Sequence, residues 1–282
     1  MTPPKPITGW QRTLVIRIDR LIYRFARHWV LVFNLFVAFY VGLPVLAPAL
    51  MEAGMPQPAN LIYTVYSPMC HQMASRSFFL FGDQYAYPRA NAPTHLNAID
   101  SYIPQLPEFA GYSGDIRDLN TFLGPARAFK GNAQMGYKMA LCERDIGIYS
   151  FVLLGGLIYG LLRRRRAIKP MPIWLFLLIG IAPIGLDGFS QLFSYFFARP
   201  WGVAWLDALL PTLQQIFPLR ESTPLLRTLT GGLFGLSLVW LAYPRIEPGM
   251  QDTEQQLAAK LRRIGALGNR PKTTSGSFTD SY

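Results

Sequence analysis

The sequence predicts an all-α integral membrane protein: a helical bundle of about four transmembrane helices, an outer re-entrant or interfacial helix, and an N-terminal amphipathic helix. Three observations predict it. Hydrophobic residues make up 51% of the 282 residues and aromatic ones 14%, while charged ones make up only 15%. Apolar runs of spanning length recur along the chain, and Lys and Arg gather in short clusters beside them. The net charge of +11 therefore reads as membrane anchoring, and its distribution argues against nucleic acid as a partner.

The elements follow in order. Over residues 1–28, Trp10, Leu14, Ile18, Leu21, Ile22 and Phe25 recur at helical spacing, while Arg17, Arg20, Arg24 and Arg27 occupy another face. That pattern predicts a basic amphipathic helix on the cytoplasmic leaflet. Ala47-Pro48-Ala49 mimics a signal-peptide cleavage site, but the apolar run before it is already of spanning length. Trp29 to Leu50 is about 22 residues, or about 33 Å of helix, enough to cross a hydrocarbon core. Leu61 to Phe81 is apolar in parts but broken by Ser67-Pro68 and by Cys70-His71-Gln72. The remaining spans are Ile146 to Leu162, which ends on Arg163-Arg164-Arg165-Arg166, then Ile173 to Phe197 around Asp187, and Leu225 to Tyr243.

Charge decides how Leu61 to Phe81 lies. Basic residues near span ends stay on the cytoplasmic side. The N-terminal segment, the four-arginine loop with Lys169, and the tail from Arg245 hold most of the 27 Lys and Arg. All three clusters share one side only if Leu61 to Phe81 does not cross, so it is expected to be re-entrant or interfacial on the outer side. The organisation expected is a cytoplasmic helix over 1–28, a membrane bundle over 29–243 with an extracytoplasmic insert over 83–140, and a cytoplasmic, partly disordered tail over 244–282 with a short helix through Leu257 and Leu261. This places the protein in the inner cell membrane with both termini cytoplasmic. The insert, rich in Pro and Gly, reads as a loop with short pieces of structure that caps the bundle, docks a partner, or does neither.

Polar residues kept in apolar segments mark a site. Cys142, Asp145 and Tyr149 share one helix face, and Asp187, Gln191 and Ser194 share another. Together with His71, Gln72, Arg76, Arg144, Arg220 and Arg227 they are expected to line one outward-facing polar pocket. Arg76, Arg144, Arg220 and Arg227 are available to pair with Asp145, Asp187 and Glu221, with Arg144–Asp145 and Asp187–Arg227 as the candidate ion pairs. Such pairs also persist simply as fasteners between helices. Cys70 and Cys142 are the only cysteines and are expected to lie close together. They can form a disulfide, which an oxidising outer compartment favours, or supply zinc or copper with His71 and Asp145. Gly147, Gly155, Gly156, Gly160, Gly231, Gly232 and Gly235 read as helix-contact positions.

The motif order is C-H-Q with R-S-F shortly after (Cys70 to Phe78), C-x-R-D-x-G-x-Y (Cys142 to Tyr149), D-G-x-x-Q (Asp187 to Gln191) and S-x-x-x-x-R-x-x-T-G (Ser222 to Gly231). In this combination, over roughly Leu61 to Tyr243, the chain resembles an uncharacterised family of predicted bacterial and archaeal membrane proteins, a domain of unknown function. The resemblance implies a small polytopic membrane protein and brings no substrate, cofactor or activity. The long insert departs from it, since a short link is expected there. The residues specify no reaction. Three functions stay open: a pocket for a small ligand, lipid or metal, a non-catalytic subunit of a larger membrane complex beside the lipid bilayer, and a small-molecule transporter. A transporter would ordinarily show an internal repeat, which this sequence lacks.

Overall fold

In a computed structural model, residues 9–267 are described. Helix α1 (Gly9–Glu52) runs through both the amphipathic segment and the first apolar span, with a kink at His28, whose backbone is non-helical (φ −117°, ψ 18°). Helix α2 (Pro56–Tyr66) follows. At 11 residues it is about 16 Å long, too short to cross. Strand β1 (Ser77–Leu80) comes next, and the insert holds α3 (Leu119–Ala128), β2 (Gly131–Asn132) and β3 (Gly136–Cys142). Helix α4 (Glu143–Leu162) leads to α5 (Ile173–Phe196), which contains π-helical turns over Phe176–Ile181. Short helices α6 (Ala204–Asp207) and α7 (Leu210–Ile216) precede α8 (Pro224–Arg263). Helices α1, α4, α5 and α8 are long and apolar enough to cross a membrane. The protein is thus a helical bundle of the predicted class.

Two expectations need correction. The segment Leu61 to Phe81 is helical only to Tyr66 and then becomes turn, a 3-10 turn (Ala74–Arg76) and strand. Pro68 accounts for the break, because it has no N–H to donate to the helix ladder, while Ser67 before it keeps helical backbone (φ −62°, ψ −30°). The predicted short helix through Leu257 and Leu261 is the continuous end of α8. The Ser/Thr-rich end read as disordered lies outside the described residues.

The insert has its own core. β1, β3 and β2 form an antiparallel sheet in that order, with Ser77 opposite Cys142 and Phe79 opposite Lys138. Phe79, Tyr87, Ile99, Phe109, Phe122 and Phe129 are buried together beneath it. Asp118 caps α3 by accepting from the amides of Asn120 and Thr121. Arg89 lies 3.8 Å over the Phe122 ring and reaches Asp100 at 3.1 Å. Lys138 is fully buried and donates to the carbonyls of Gln72 (2.6 Å), Ala126 (3.1 Å) and Arg127 (2.8 Å). Burial pulls its pKa down to about 7, with Lys130 adding repulsion. Three carbonyl acceptors match the three protons of the charged form, so the lysine acts as a pin joining the Gln72 turn to α3.

The chain divides into two compact units. One takes the described residues up to Val32 and from Arg245 on. There Tyr23 packs against Ala258 and Leu261, Lys260 pairs with Asp19 at 2.7 Å, and Trp29 donates to Glu247. Trp10, Leu14, Ile18, Leu21 and Ile22 remain exposed on this stretch of α1. The other unit, Phe33–Pro244, holds the insert and the bundle.

In that larger unit α4 and α8 run parallel and nearly touch. A Cβ on Gly231 would stand 2.5 Å from the Arg144 carbonyl, and one on Gly235 would stand 2.3 Å from that of Ile148. Without side chains at these positions, backbone meets backbone, as small residues one turn apart allow in membranes. The contact continues through Gly155 beside Val239 and Tyr159 against Tyr243. It fixes the height of Arg227 relative to the first turn of α4, where the candidate site lies.

Candidate functional site

The site is built where a strand becomes a membrane helix. Cys142 ends β3 and is also the N-cap of α4. Since Ser77 pairs with Cys142 across the sheet, the segment just before β1, Cys70 to Arg76, is drawn against the start of α4. Gln72 holds that segment in shape. It takes a left-handed backbone (φ 51°) and donates its side-chain amide to the carbonyls of Tyr63 (2.8 Å) and Ala140 (3.0 Å). A non-glycine residue in that region is strained and persists only where its surroundings over-determine it. The turn aims the Gln72 amide N–H at Cys70 Sγ, 3.4 Å away.

A cleft of about 280 Å³ opens here, lined by Cys70, His71, Arg76 and their neighbours Met69, Gln72 and Met73, by Cys142, Arg144 and Asp145 of α4, by Gln191 of α5 and by Arg227 of α8. Two ion-pair networks stand around it. In the first, Arg227 donates to Glu143 (3.0 Å) and to Glu221, and Arg76 reaches Glu221 at 2.9 Å. Glu143 and Glu221 are fully buried. Burial alone would raise the Glu221 pKa, but the guanidinium groups of Arg76 and Arg227 outweigh it and hold the group below its usual value. In the second, Asp187 accepts from Arg144 (2.6 Å), Arg220 (3.1 Å) and Ser222 (2.8 Å).

The two sulfurs and a carboxylate come together on one side. Cys70 Sγ, Cys142 Sγ and an Asp145 oxygen all lie within 4.8 Å of one another. Both cysteines are unbridged, and the Cys142 thiol donates to Asp145 at 3.1 Å. The adjoining Cys142, helped by the Gln72 amide, holds Cys70 below its ordinary pKa. Cys142 is raised well above its own, first by the neighbouring Cys70 sulfur and then by burial.

Most of the residues singled out in sequence do meet at the cleft, with exceptions. Tyr149 packs edge-on against Tyr40 (4.5 Å between ring centroids). Asp187 and Arg220 stand behind the wall. The expected Asp187–Arg227 pair is not formed: Asp187 takes Arg144 and Arg220, and Arg227 takes Glu143 and Glu221. Arg144 and Asp145 do not pair either, because adjacent helix residues point about 100° apart. The disulfide is absent, and the imidazole of His71, an exposed residue, is not in the sulfur–carboxylate group. Met69 and Met73 were not singled out in sequence, and Glu143, which belongs to the polar cluster Cys142-Glu143-Arg144-Asp145, was given no partner there. Glu143 had a signal: it lies four residues before Gly147, whose missing side chain faces Thr228 of α8, so it shares the face turned to that helix.

The comparisons agree with the membrane architecture. The model of a family described as "Predicted membrane protein (DUF2085)" matches residues 127–241, which take in α4, α5 and most of the apolar part of α8. An uncharacterized protein of Methanocaldococcus jannaschii is 25% identical over 225 residues, covering 77% of this chain and 92% of the relative. No solved structure matches. The chain is thus similar to predicted membrane proteins, and neither match carries a substrate or activity.

Proposed function

We propose that this protein sits in the inner cell membrane with both termini cytoplasmic, and that the cleft at the outer end of its bundle binds a small oxyanion. One observation carries the binding reading. The cleft wall presents three guanidinium-bearing residues, Arg76, Arg144 and Arg227, against a single carboxylate, Asp145. The compensating Glu143, Glu221 and Asp187 lie outside the lining. Two donors on lining residues, Arg144 Nε and Gln191 Nε2, have no partner among the described residues. Buried donors left unpaired are unfavourable, and planar guanidinium groups suit carboxylate, sulfate and phosphate. Positive-inside charge supports the orientation, as the four-arginine loop and the cleft lie at opposite ends of α4.

The binding test is calorimetry on the full-length protein in detergent, chelator-treated and titrated with inorganic phosphate, sulfate or acetate. Saturable binding of at least one anion is expected, weakened at least tenfold by Gln191→Met and by Arg76→Gln. Absence of binding at millimolar anion, or binding indifferent to both substitutions, would reject the reading. For orientation, a reporter fused after Lys169 should read cytoplasmic and one inserted near Gly114 extracytoplasmic. The opposite pair of readings would invert the protein and turn the cleft to the cytoplasm.

A further inference from the structure

We propose that Cys70, Cys142 and Asp145 form a three-ligand site for a zinc-type divalent metal ion, with its fourth position open to the cleft. The proposal goes beyond the oxyanion reading because it rests on sulfur and carboxylate atoms, so either can fail without the other.

Geometry comes first. In a tetrahedral zinc site with Zn–S near 2.3 Å, neighbouring ligand atoms lie about 3.5 to 3.8 Å apart. The three candidate atoms already lie within 4.8 Å of one another, and the Cys142 sulfur is 3.1 Å from Asp145. Closing on an ion needs a shift of about 1 Å at most, which side-chain rotation supplies. The positions are also fixed independently. The Gln72 turn holds Cys70, the β3-to-α4 junction holds Cys142, and Asp145 stands in the first turn of α4.

Donor chemistry then selects the ion. Two thiols with one carboxylate are wrong for magnesium or calcium, which take oxygen ligands alone. Copper(I) prefers an all-soft set, and two methionines line the cleft. Neither sulfur is free to join, however: Met69 Sδ accepts from the Tyr40 hydroxyl at 3.3 Å, and Met73 packs in the insert core. A set of two sulfurs and one oxygen is within the range of zinc, and three protein ligands with an open position is its exchangeable pattern. The Gln72 N–H on Cys70 Sγ is the outer-shell bond such a thiolate needs. On binding, metal–sulfur bonds replace the S–H bonds, and up to two protons leave to solvent per ion. No electrons are transferred.

The rival use of the sulfurs is a disulfide, which would require an oxidant to accept two electrons. The experiment separates the outcomes. Full-length protein in detergent is reduced, stripped with chelator, transferred to phosphate-free buffer and titrated with zinc(II) alone. One zinc per chain should survive desalting, both thiols should become protected from alkylation, and protons should be released. Cobalt(II) in place of zinc should give a thiolate charge-transfer band. Cys142→Ser and Asp145→Asn should each weaken zinc binding at least tenfold. If Cys142→Ser does not fold, the alkylation protection of the wild-type protein decides the matter. Zinc bound without protection of the thiols, zinc binding unaffected by both substitutions, or reduced protein that binds no zinc would each overturn the proposal. Stoichiometric copper(I) binding that depends on Met69 and outcompetes zinc would overturn the zinc assignment.

Discussion

The insert and helix α5 draw on similar side chains and sort them in opposite directions. In the insert, Tyr87, Ile99, Phe109 and Phe122 are buried, and a pair such as Arg117 with Asp115 lies at the surface. In α5, Asp187, Gln191 and Ser194 are buried, and Leu186, Phe189, Leu192 and Phe196 point outward. Water explains the first arrangement, since apolar area leaves it and charges stay. Hydrocarbon explains the second, since apolar side chains have nothing to gain by leaving it and polar groups must find partners inside. The cleft lies where the two regimes meet. There charges brought by the membrane helices are close enough to water to be reached and buried enough to need one another.

The strongest test of that meeting point is Arg227, which is buried between two fully buried carboxylates, Glu143 and Glu221. Arg227→Met should destabilise the detergent-solubilised protein by about 3 to 5 kcal/mol, the range for leaving a buried charge without its partner. Adding Glu143→Gln should restore much of the loss, because Arg76 still serves Glu221. The measurement is denaturant unfolding in mild detergent. A single-mutant loss below about 1 kcal/mol would mean that water reaches the network and that this end of the bundle belongs to the aqueous regime.

Next in size is a matched truncation. Leu106 is 6% exposed within the insert core, whereas Leu186 is 72% exposed on α5. Leu106→Ala should lower stability by about 2 to 3 kcal/mol, through lost burial and a residual cavity. Leu186→Ala should change it by less than about 0.5 kcal/mol, because its side chain meets detergent or lipid in the folded state. Equal losses at the two positions would show that the outer face of α5 is covered by protein, as in a subunit of a larger complex.

How much of this was legible in the sequence follows from the same contrast. The spans could be located because a bilayer demands about 20 apolar residues per crossing, and the site because Asp187, Arg144 and Arg227 stand out against such runs. The choice of partners was not legible. Whether Asp187 meets Arg227 or Arg144 depends on the height of α8 against α4, which is set by the glycine contact at Gly231 and Gly235, a matter of register that composition does not encode. The sheet escaped for another reason. β3 reads Gly-Tyr-Lys-Met-Ala-Leu-Cys and is buried along most of its length, so no alternation of apolar and polar residues betrays it. Its single lysine, Lys138, would be taken for a surface residue, yet it is fully buried.

The finest distinction uses one substitution in both regimes. Phe81, between β1 and the insert, is 56% exposed and adopts φ 68°, while Phe39, in the apolar part of α1, is 66% exposed on an ordinary helix. By exposure alone the two phenylalanines are equivalent, and any rule that treats an exposed aromatic as a surface residue predicts the same result for both. The two-solvent argument predicts opposite signs. Phe81→Asn removes apolar surface from water and places at a left-handed position one of the few side chains that tolerates it, so stability should rise by up to about 1 kcal/mol. Phe39→Asn puts an amide without a partner into hydrocarbon and should lower stability by about 1 to 2 kcal/mol. Unfolding midpoints of both variants in one detergent give the comparison directly. A gain at Phe39 would move that face of α1 out of the membrane, and a loss at Phe81 would mean that its ring is covered by lipid headgroups or by a partner.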